Sequence, residues 1–239
     1  MAQTPKSAAF PPLKSLVKYT SRSSGLEKTL RLTQAISQVI GATTADKTLA
    51  TQCMTVRDQL ALTRRYFRLL DFYGCFERVY FLINTPSSTG TILSVMEVAQ
   101  YTFLGLYLLL EDLTILHDMG VARVDWYHPL MTEANKFWFY ALALSIIRCA
   151  WELFFPSAPA MPSKASSAPS SREKAGNRAQ QLQSRTPKWP LVKRIIIDGC
   201  DLTLPGSFLG WTPVTPLQIG LGMVLSTVLA GHDVWIAQQ

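Results

Sequence analysis

The sequence has few charged residues and few histidines, and it lacks the short motifs that mark most enzymes. Asp, Glu, Lys and Arg make up 16% of the 239 residues, against roughly 25% in an average soluble domain. Of its three histidines, none has the HExxH spacing of a catalytic zinc site. GxSxG, GxGxxG and GxxxxGK[S/T] are absent as well. We therefore expect a protein that is not an enzyme and that binds no metal or cofactor.

The sequence also lacks paired cysteines and a secretion signal. Its cysteines, Cys53, Cys75, Cys149 and Cys200, lie far apart without a CxxC pair, so we expect reduced thiols rather than a disulfide framework or a zinc site. No apolar segment with a small-residue cleavage site follows Met1, so secretory targeting is not expected.

No uninterrupted run of about 20 apolar residues occurs, although 48% of the residues are hydrophobic. Three shorter apolar stretches cover residues 93–116, 137–147 and 217–231. The third has no charge before Asp233 and lies between Trp211 and Trp235, two possible interfacial anchors. It predicts a transmembrane helix at about residues 214–232. The first two predict either a hairpin in the membrane or a buried helical pair.

Charge is distributed in alternating blocks. Residues 1–80 and 157–194 each carry a net charge of +7, whereas residues 81–156 carry −4 and residues 195–239 carry −3. This alternation suits basic segments that face anionic headgroups and the cytosol, with residues 93–155 as a hairpin and the C-terminus across the membrane. Nucleic-acid binding is the rival use of basic blocks, but no reader motif accompanies them, so no nucleic-acid partner is expected.

The pattern of apolar and polar residues predicts an all-α, membrane-associated protein. A Pro-, Ser- and Ala-rich segment without apolar periodicity separates two helical parts and predicts a flexible basic linker. The predicted organisation is a disordered N-terminus (1–13), an amphipathic helical region (14–90), a hydrophobic helical hairpin (91–156), the linker (157–190) and a C-terminal segment with the transmembrane helix (191–239).

Within the amphipathic region we expect a helix over residues 14–40, broken near Ser21–Gly25, and a second helix from about Leu49 to Ile83. At 100° per residue the second helix has a cationic side and an apolar side. The candidate membrane-binding residues are Arg57, Arg64, Arg65 and Arg68 on the cationic side and Leu62, Tyr66, Leu69, Leu70 and Tyr73 on the apolar side.

Two interpretations of this two-sided helix compete. In an ordinary globular helix the apolar side packs on the core and the charges face water. In a helix that lies in the plane of a membrane, the arginines bind lipid phosphates and the aromatic side chains reach the acyl boundary. The aromatic density and the excess of arginine over acid favour the membrane interpretation.

Several segments resemble a known family. SSGLEKTLRLTQ (residues 23–34) resembles the DGRDK-x-LR-x-x-Q opening of the peroxisomal peroxin-eleven family, and TRRYFRLLDF (63–72) resembles its amphipathic segment. The resemblance continues at YLLLEDLTIL (107–116) and at WPLVKRIIIDGCDLTLP (189–205). Asp71 departs from the pattern, because a basic or neutral residue is expected there.

The resemblance implies an integral peroxisomal membrane protein whose amphipathic helix inserts into the cytosolic leaflet. Such a protein elongates and curves the membrane and promotes peroxisome fission. The implied partners are anionic membrane lipids, further copies of the chain, dynamin-related fission machinery with its adaptors, and the import receptor for peroxisomal membrane proteins. Two alternatives stay open: a small-metabolite pore or carrier that uses Glu97, Gln100 and Arg148, and a soluble all-α interaction protein.

Overall fold

A computed structural model of the chain describes residues 17–85, 91–155 and 188–237. The predicted disordered N-terminus and nearly all of the predicted linker lie outside these residues. The described part is helical without a strand, which confirms the all-α prediction. After a short helical turn at residues 17–20, the elements are α1 (Ser23–Thr43), α2 (Lys47–Phe67), α3 (Asp71–Asn84), α4 (Thr91–Leu113), α5 (Ile115–Asp118), α6 (Tyr127–Phe154), α7 (Lys188–Phe208) and α8 (Pro216–Ile236).

The helices pack side by side in a circuit. Helix α2 packs on α1, α1 on α8, α8 on α7, α7 on α6, α6 on α4, and α4 on α3. Since α3 follows α2 directly in the chain, the covalent link closes this circuit. Between α3 and α4 the approach is close at Gly105, where an added Cβ would lie 3.1 Å from the Phe76 ring.

Helices α4, α6 and α8 are each long and apolar enough to cross a membrane, over Ile92–Leu113, Tyr127–Phe154 and Pro216–Ile236. The last of these contains most of the transmembrane helix predicted at 214–232. Helix α8 begins where the sequence encodes a start, because Pro216 occupies the first turn and Thr215 and Gln218 form a reciprocal capping box.

Helix α7 lies between α6 and α8 and runs antiparallel to both. Its contacts include Asp198 with Ser145 of α6, Lys193 with Asp233 of α8, and Cys200 with Gly222 of α8. As a result, the C-terminus of α8 lies at the same end of the bundle as the start of α7. The charge pattern instead suggests that the linker and the C-terminus lie on opposite sides of a membrane, and this orientation stays a prediction.

The predicted continuous helix from Leu49 to Ile83 is wrong, because α2 ends at Phe67 and α3 begins at Asp71. Leu70 has the left-handed conformation, with φ of 68°. For a residue other than glycine this conformation costs roughly 1–2 kcal/mol. A contact from another helix accompanies it: the backbone N–H of Leu70 donates a hydrogen bond of 3.1 Å to the Asp112 carboxylate.

The interior of the bundle contains both apolar and polar side chains, and much of its exterior is apolar. The apolar core cluster consists of Cys75, Tyr107, Leu108 and Ala134. Charged and amide side chains are buried between the helices, among them Glu27, Gln100, Glu111, Asp198 and Asp201. Large apolar side chains are exposed on the outside of every long helix. A soluble protein rarely exposes such an extensive apolar surface, and buries charged groups only when they are paired. Such an extensive apolar surface is expected of a bundle surrounded by lipid.

Candidate membrane-contact site

The apolar side of the α2–α3 segment faces outward. Tyr66 is 43% exposed, Leu69 49%, Leu70 62% and Tyr73 67%, and Phe67 beside them is 42% exposed. We call these five residues the outer cluster. They surround the break between α2 and α3. There the backbone N–H of Leu70 donates a hydrogen bond to Asp112, near the C-terminal end of α4. The outer cluster thus lies at one end of a helix long enough to span a bilayer.

Leu62, the remaining apolar candidate, is half-buried. It lines a small surface pocket with Asp58, Arg65 and Asp118. Sequence periodicity placed it on the same side as Tyr66, but Leu62 is less exposed than the residues around the break. Leu62 is therefore not part of the outer cluster.

The cationic side of the same segment faces the interior. Arg64 lies 2.7 Å from the Glu27 carboxylate of α1, and its Nη1 donates to the side-chain oxygen of Gln34 at 2.8 Å. The side chains of Arg64 and Glu27 are each only 11% exposed. This ion pair fastens the end of α2 to α1.

The two following arginines converge on the end of α4. Nη2 of Arg68 donates to Glu111 at 2.8 Å, and Nε of Arg65 lies 3.2 Å from the other oxygen of the same carboxylate. Arg65 also pairs with Asp118 of α5. The hydroxyl of Tyr107 donates to Glu111 at 2.9 Å. One buried carboxylate thus receives two arginines and a tyrosine.

Of the four candidate arginines, Arg57 alone lacks a buried partner in the described part of the chain. It pairs at 2.7 Å with Asp58, its neighbour on α2, and its side chain is 32% exposed. For Arg64, Arg65 and Arg68 the structure supplies protein carboxylates in the place where the in-plane membrane interpretation put lipid phosphates. Membrane binding through the apolar residues stays a prediction.

Electrostatics stabilise the inward arrangement. Burial alone would raise the pKa of Glu27, but the positive charges of Arg64 and Lys28 outweigh burial and lower that pKa to about 2. Burial also lowers the pKa of Arg64, and repulsion from Arg31 and Arg68 adds to this effect, while Glu27 opposes it. Glu27 is therefore ionised whenever the protein is folded near neutral pH.

The polar residues on which the pore alternative rested are also paired. Glu97 accepts a hydrogen bond of 2.8 Å from Arg78 of α3. Arg148 pairs with Glu152 at 2.9 Å on its own helix and reaches Gln100 at 3.4 Å. The Arg78–Glu97 and Arg148–Gln100 contacts link neighbouring helices, so these polar side chains have partners within the protein.

Sequence reasoning missed the acids that hold the arginines. Glu27, Glu111 and Asp118 are 37 to 53 residues away from their arginine partners in the chain. One signal was available: Glu111 interrupts an apolar stretch, and an acid in such a stretch usually faces a partner inside a bundle.

Comparison with known families agrees with the resemblance. The model of the family described as Peroxisomal biogenesis factor 11 (PEX11) matches residues 13–235, nearly the whole chain. The chain belongs to the PEX11 family. PEX11 is a family of peroxisome biogenesis factors rather than a known enzyme family, so membership implies a role in forming peroxisomes and an association with them. No curated protein and no solved structure matches the chain.

Proposed function

We propose that this PEX11-family chain is a protein of the peroxisomal membrane that bends and elongates the bilayer and so promotes peroxisome fission. The observation that carries the proposal is the outer cluster, in which five large apolar side chains point away from the protein while the neighbouring arginines point into it. A surface of this kind is stable in lipid and unfavourable in water.

Transfer of the outer cluster into lipid is strongly favourable. Complete burial of one large apolar side chain contributes roughly 1.5–3 kcal/mol. The cluster residues are about half exposed, so about 4–8 kcal/mol is available from all five by area. This exceeds the about 1 kcal/mol that Arg57, the candidate arginine without a buried partner, would add at an anionic membrane surface. Apolar transfer therefore dominates the contact with the bilayer.

The position of the cluster supplies the asymmetry that curvature needs. Helix α4, with 23 residues, is about 34 Å long, which matches a hydrocarbon core of about 30 Å. The cluster lies beside the final residues of α4, so it adds volume mainly to one leaflet. A bilayer expanded in one leaflet bends toward that leaflet. Because bending grows with the number of wedges per area, self-association belongs to the proposed function.

The inward arginines change the expected lipid dependence. Arginines that sat on phosphates would add about 1 kcal/mol each on an anionic surface and would make binding salt-sensitive. Since Arg64, Arg65 and Arg68 are occupied by carboxylates, we expect remodelling that depends little on anionic lipid or salt. The fission machinery, its adaptors and the import receptor are proposed as partners on the family resemblance alone.

The proposal is tested with the full chain reconstituted into vesicles. Leu69→Glu combined with Tyr73→Glu places two charges in the outer cluster, and we expect it to abolish the tubulation that the wild-type chain produces. Gln52→Glu combined with Gln59→Glu adds the same charge at exposed polar positions of α2 and should tubulate like the wild type.

Carbonate extraction separates loss of remodelling from loss of insertion. We expect the cluster variant to stay in the membrane pellet, held by α4, α6 and α8. If the glutamate variant leaves the pellet, Leu69→Ala with Tyr73→Ala serves as a milder variant. We expect this alanine variant to stay in the membrane and to lose part of the tubulation. Full tubulation by an embedded cluster variant contradicts the proposal.

A further inference from the structure

Helix α7 is about as long as a bilayer is thick, but it is more polar than the helices on either side of it. Its 21 residues extend over about 31 Å, and the hydrocarbon core of a bilayer measures roughly 30 Å. Among the described residues, composition marks only α4, α6 and α8 as possible spans. Beyond its first position, α7 contains four charged residues that account for this difference: Lys193, Arg194, Asp198 and Asp201.

Helix α7 lies alongside α8, in the opposite direction, over most of its length. Near the start of α7, Lys193 pairs with Asp233, which is one turn from the end of α8. Further along, Cys200 faces Gly222 near the start of α8, where an added Cβ would lie 3.7 Å from the Cys200 Cβ. The two helices therefore cover the same depth, so a layer that α8 crosses is crossed by α7 as well.

The charges of α7 have partners within the bundle. Asp198 accepts hydrogen bonds from the Ser145 hydroxyl of α6 and from Arg194, which lies one turn earlier on α7. Asp201 pairs with Arg31 of α1. Three of the four charged residues are buried: Lys193, Asp198 and Asp201. Charged residues of membrane segments characteristically face the bundle interior and pair with one another in this way.

The outer side of α7 is compatible with lipid. Arg194 is the exception among its charges, because its side chain is 52% exposed. It lies in the first third of the helix, close enough to the end for a long side chain to reach the headgroup layer. Trp189 at that end is 62% exposed, as expected of an interfacial anchor. Between Arg194 and Phe208 no charged residue of α7 is exposed.

We propose that α7 crosses the membrane as a fourth span, between α6 and α8. The inference rests on the membrane location in the proposed function, but not on bending of the bilayer. A helix outside the bilayer could not accompany α8 across it, and Lys193 and Asp198 would then lose their partners on α8 and α6.

A fourth span determines which parts of the chain share a side of the membrane. Helix α6 ends, α7 begins and α8 ends on one side, and the connection at residues 209–215 lies on the other. The linker then begins and ends on the same side as the C-terminus. If α7 stayed outside the bilayer, the linker and the C-terminus would be on opposite sides, as the charge pattern predicts.

The charge pattern is a poor guide for this part of the chain. The negative charge of residues 195–239 comes from three acids, Asp198, Asp201 and Asp233. Each of them pairs with a cation of the bundle. Such acids stabilise helix contacts and contribute little to orientation, which follows the positive residues of the loops.

The test uses single added cysteines in the full chain, in peroxisomes isolated from cells that produce it. Lys188→Cys marks the start of α7, Pro213→Cys the connection to α8, and Ala237→Cys the end of α8, and all three positions are exposed. A maleimide on a polyethylene glycol chain too large to enter the organelle is added before or after detergent. Each attached polymer shifts the protein on a gel, and the wild type gives the background from its four native cysteines.

We expect the cysteines at 188 and 237 to be labelled under the same condition and the cysteine at 213 under the other. The inference is overturned if the cysteines at 188 and 213 behave alike while that at 237 differs, because α7 would then lie outside the bilayer. Equal labelling of all three positions in a chain that resists carbonate extraction also overturns it. A chain that carbonate releases removes the membrane location itself, which separates failure of the proposed function from failure of this inference.

Exposed neighbours provide second variants if a substituted chain does not accumulate. These are Pro190→Cys, Trp211→Cys and Ile236→Cys, and we expect the same pattern from them. Tubulation is not measured, so the result is independent of whether the outer cluster bends the membrane.

Discussion

The two sides of the α2–α3 segment face opposite surroundings. The arginine side points inward, and Arg64, Arg65 and Arg68 form ion pairs with carboxylates of α1, α4 and α5. The aromatic side points outward, with Tyr73 67% exposed. A two-sided helix on a soluble protein has the reverse arrangement. The comparison teaches that the outside of this bundle is suited to lipid, and that the protein neutralises its own buried cations.

The largest expected effect comes from removing the carboxylate that two arginines share. Glu111→Gln leaves Arg65 and Arg68 without that negative charge in a site where Glu111 is 7% exposed. Loss of one partner of a buried ion pair costs about 3–5 kcal/mol. For a chain of this size that corresponds to a fall of roughly 6–20 °C in melting temperature, measured in detergent.

Glu133→Gln is the matched control for this substitution. Its carboxylate is 53% exposed and pairs with Lys136 on the same helix. We expect a change of no more than about 0.5 kcal/mol in the free energy of unfolding. Similar effects of the two substitutions would mean that the inner arginines are as well solvated as surface ones, and the comparison would fail.

A smaller effect is expected from the pH dependence of the Glu27–Arg64 pair. The pKa of Glu27 is about 2 in the folded protein against 4.5 for a free glutamate. A lowered pKa stabilises the folded state above pH 4.5, and this contribution is lost as the pH falls toward 2. The lowering corresponds to about 3 kcal/mol.

Glu27→Gln removes this contribution and supplies the measurement. We expect the difference in unfolding free energy between wild type and variant to be largest near neutral pH and to shrink between pH 4.5 and 2. A difference that stays constant over this range would show that Arg64 does not hold Glu27 in its charged form.

The smallest effect tests the break that gives the segment its shape. Leu70→Gly and Leu70→Ala both remove the exposed side chain, but glycine adopts the left-handed conformation without strain. The glycine variant should therefore be more stable than the alanine variant by about 1 kcal/mol. A continuous helix predicts the opposite order by a similar amount, because alanine favours helix over glycine. Chemical denaturation of the two variants decides between these outcomes.

Helix content was predictable because apolar periodicity is a local property of the sequence. The start of α8 follows from Pro216, Thr215 and Gln218, which are adjacent in the chain. The break at Leu70 was not predictable, since no glycine or proline marks it. Its contact with Asp112 joins residues 42 positions apart.

Which residues share a side of the α2–α3 segment was largely predictable from the sequence, but the direction in which each side faces was not. Helical spacing separates Arg64 and Arg68 from Leu69 and Tyr73, yet spacing contains no information about which side faces the protein. That choice depends on acids elsewhere in the chain, such as Glu27 for Arg64. The burial of charged residues on α7 was not predicted for the same reason, because their partners lie on α6, α8 and α1.

Photo-crosslinking with a carbene-generating phospholipid tests the central claim most directly. The full chain is reconstituted into vesicles, irradiated and digested, and lipid adducts are mapped by mass spectrometry. We predict adducts on Tyr66, Leu69, Leu70 and Tyr73, and none on Arg64, Arg65 or Arg68. Labelling of the three arginines, with the outer cluster unlabelled, would contradict the account.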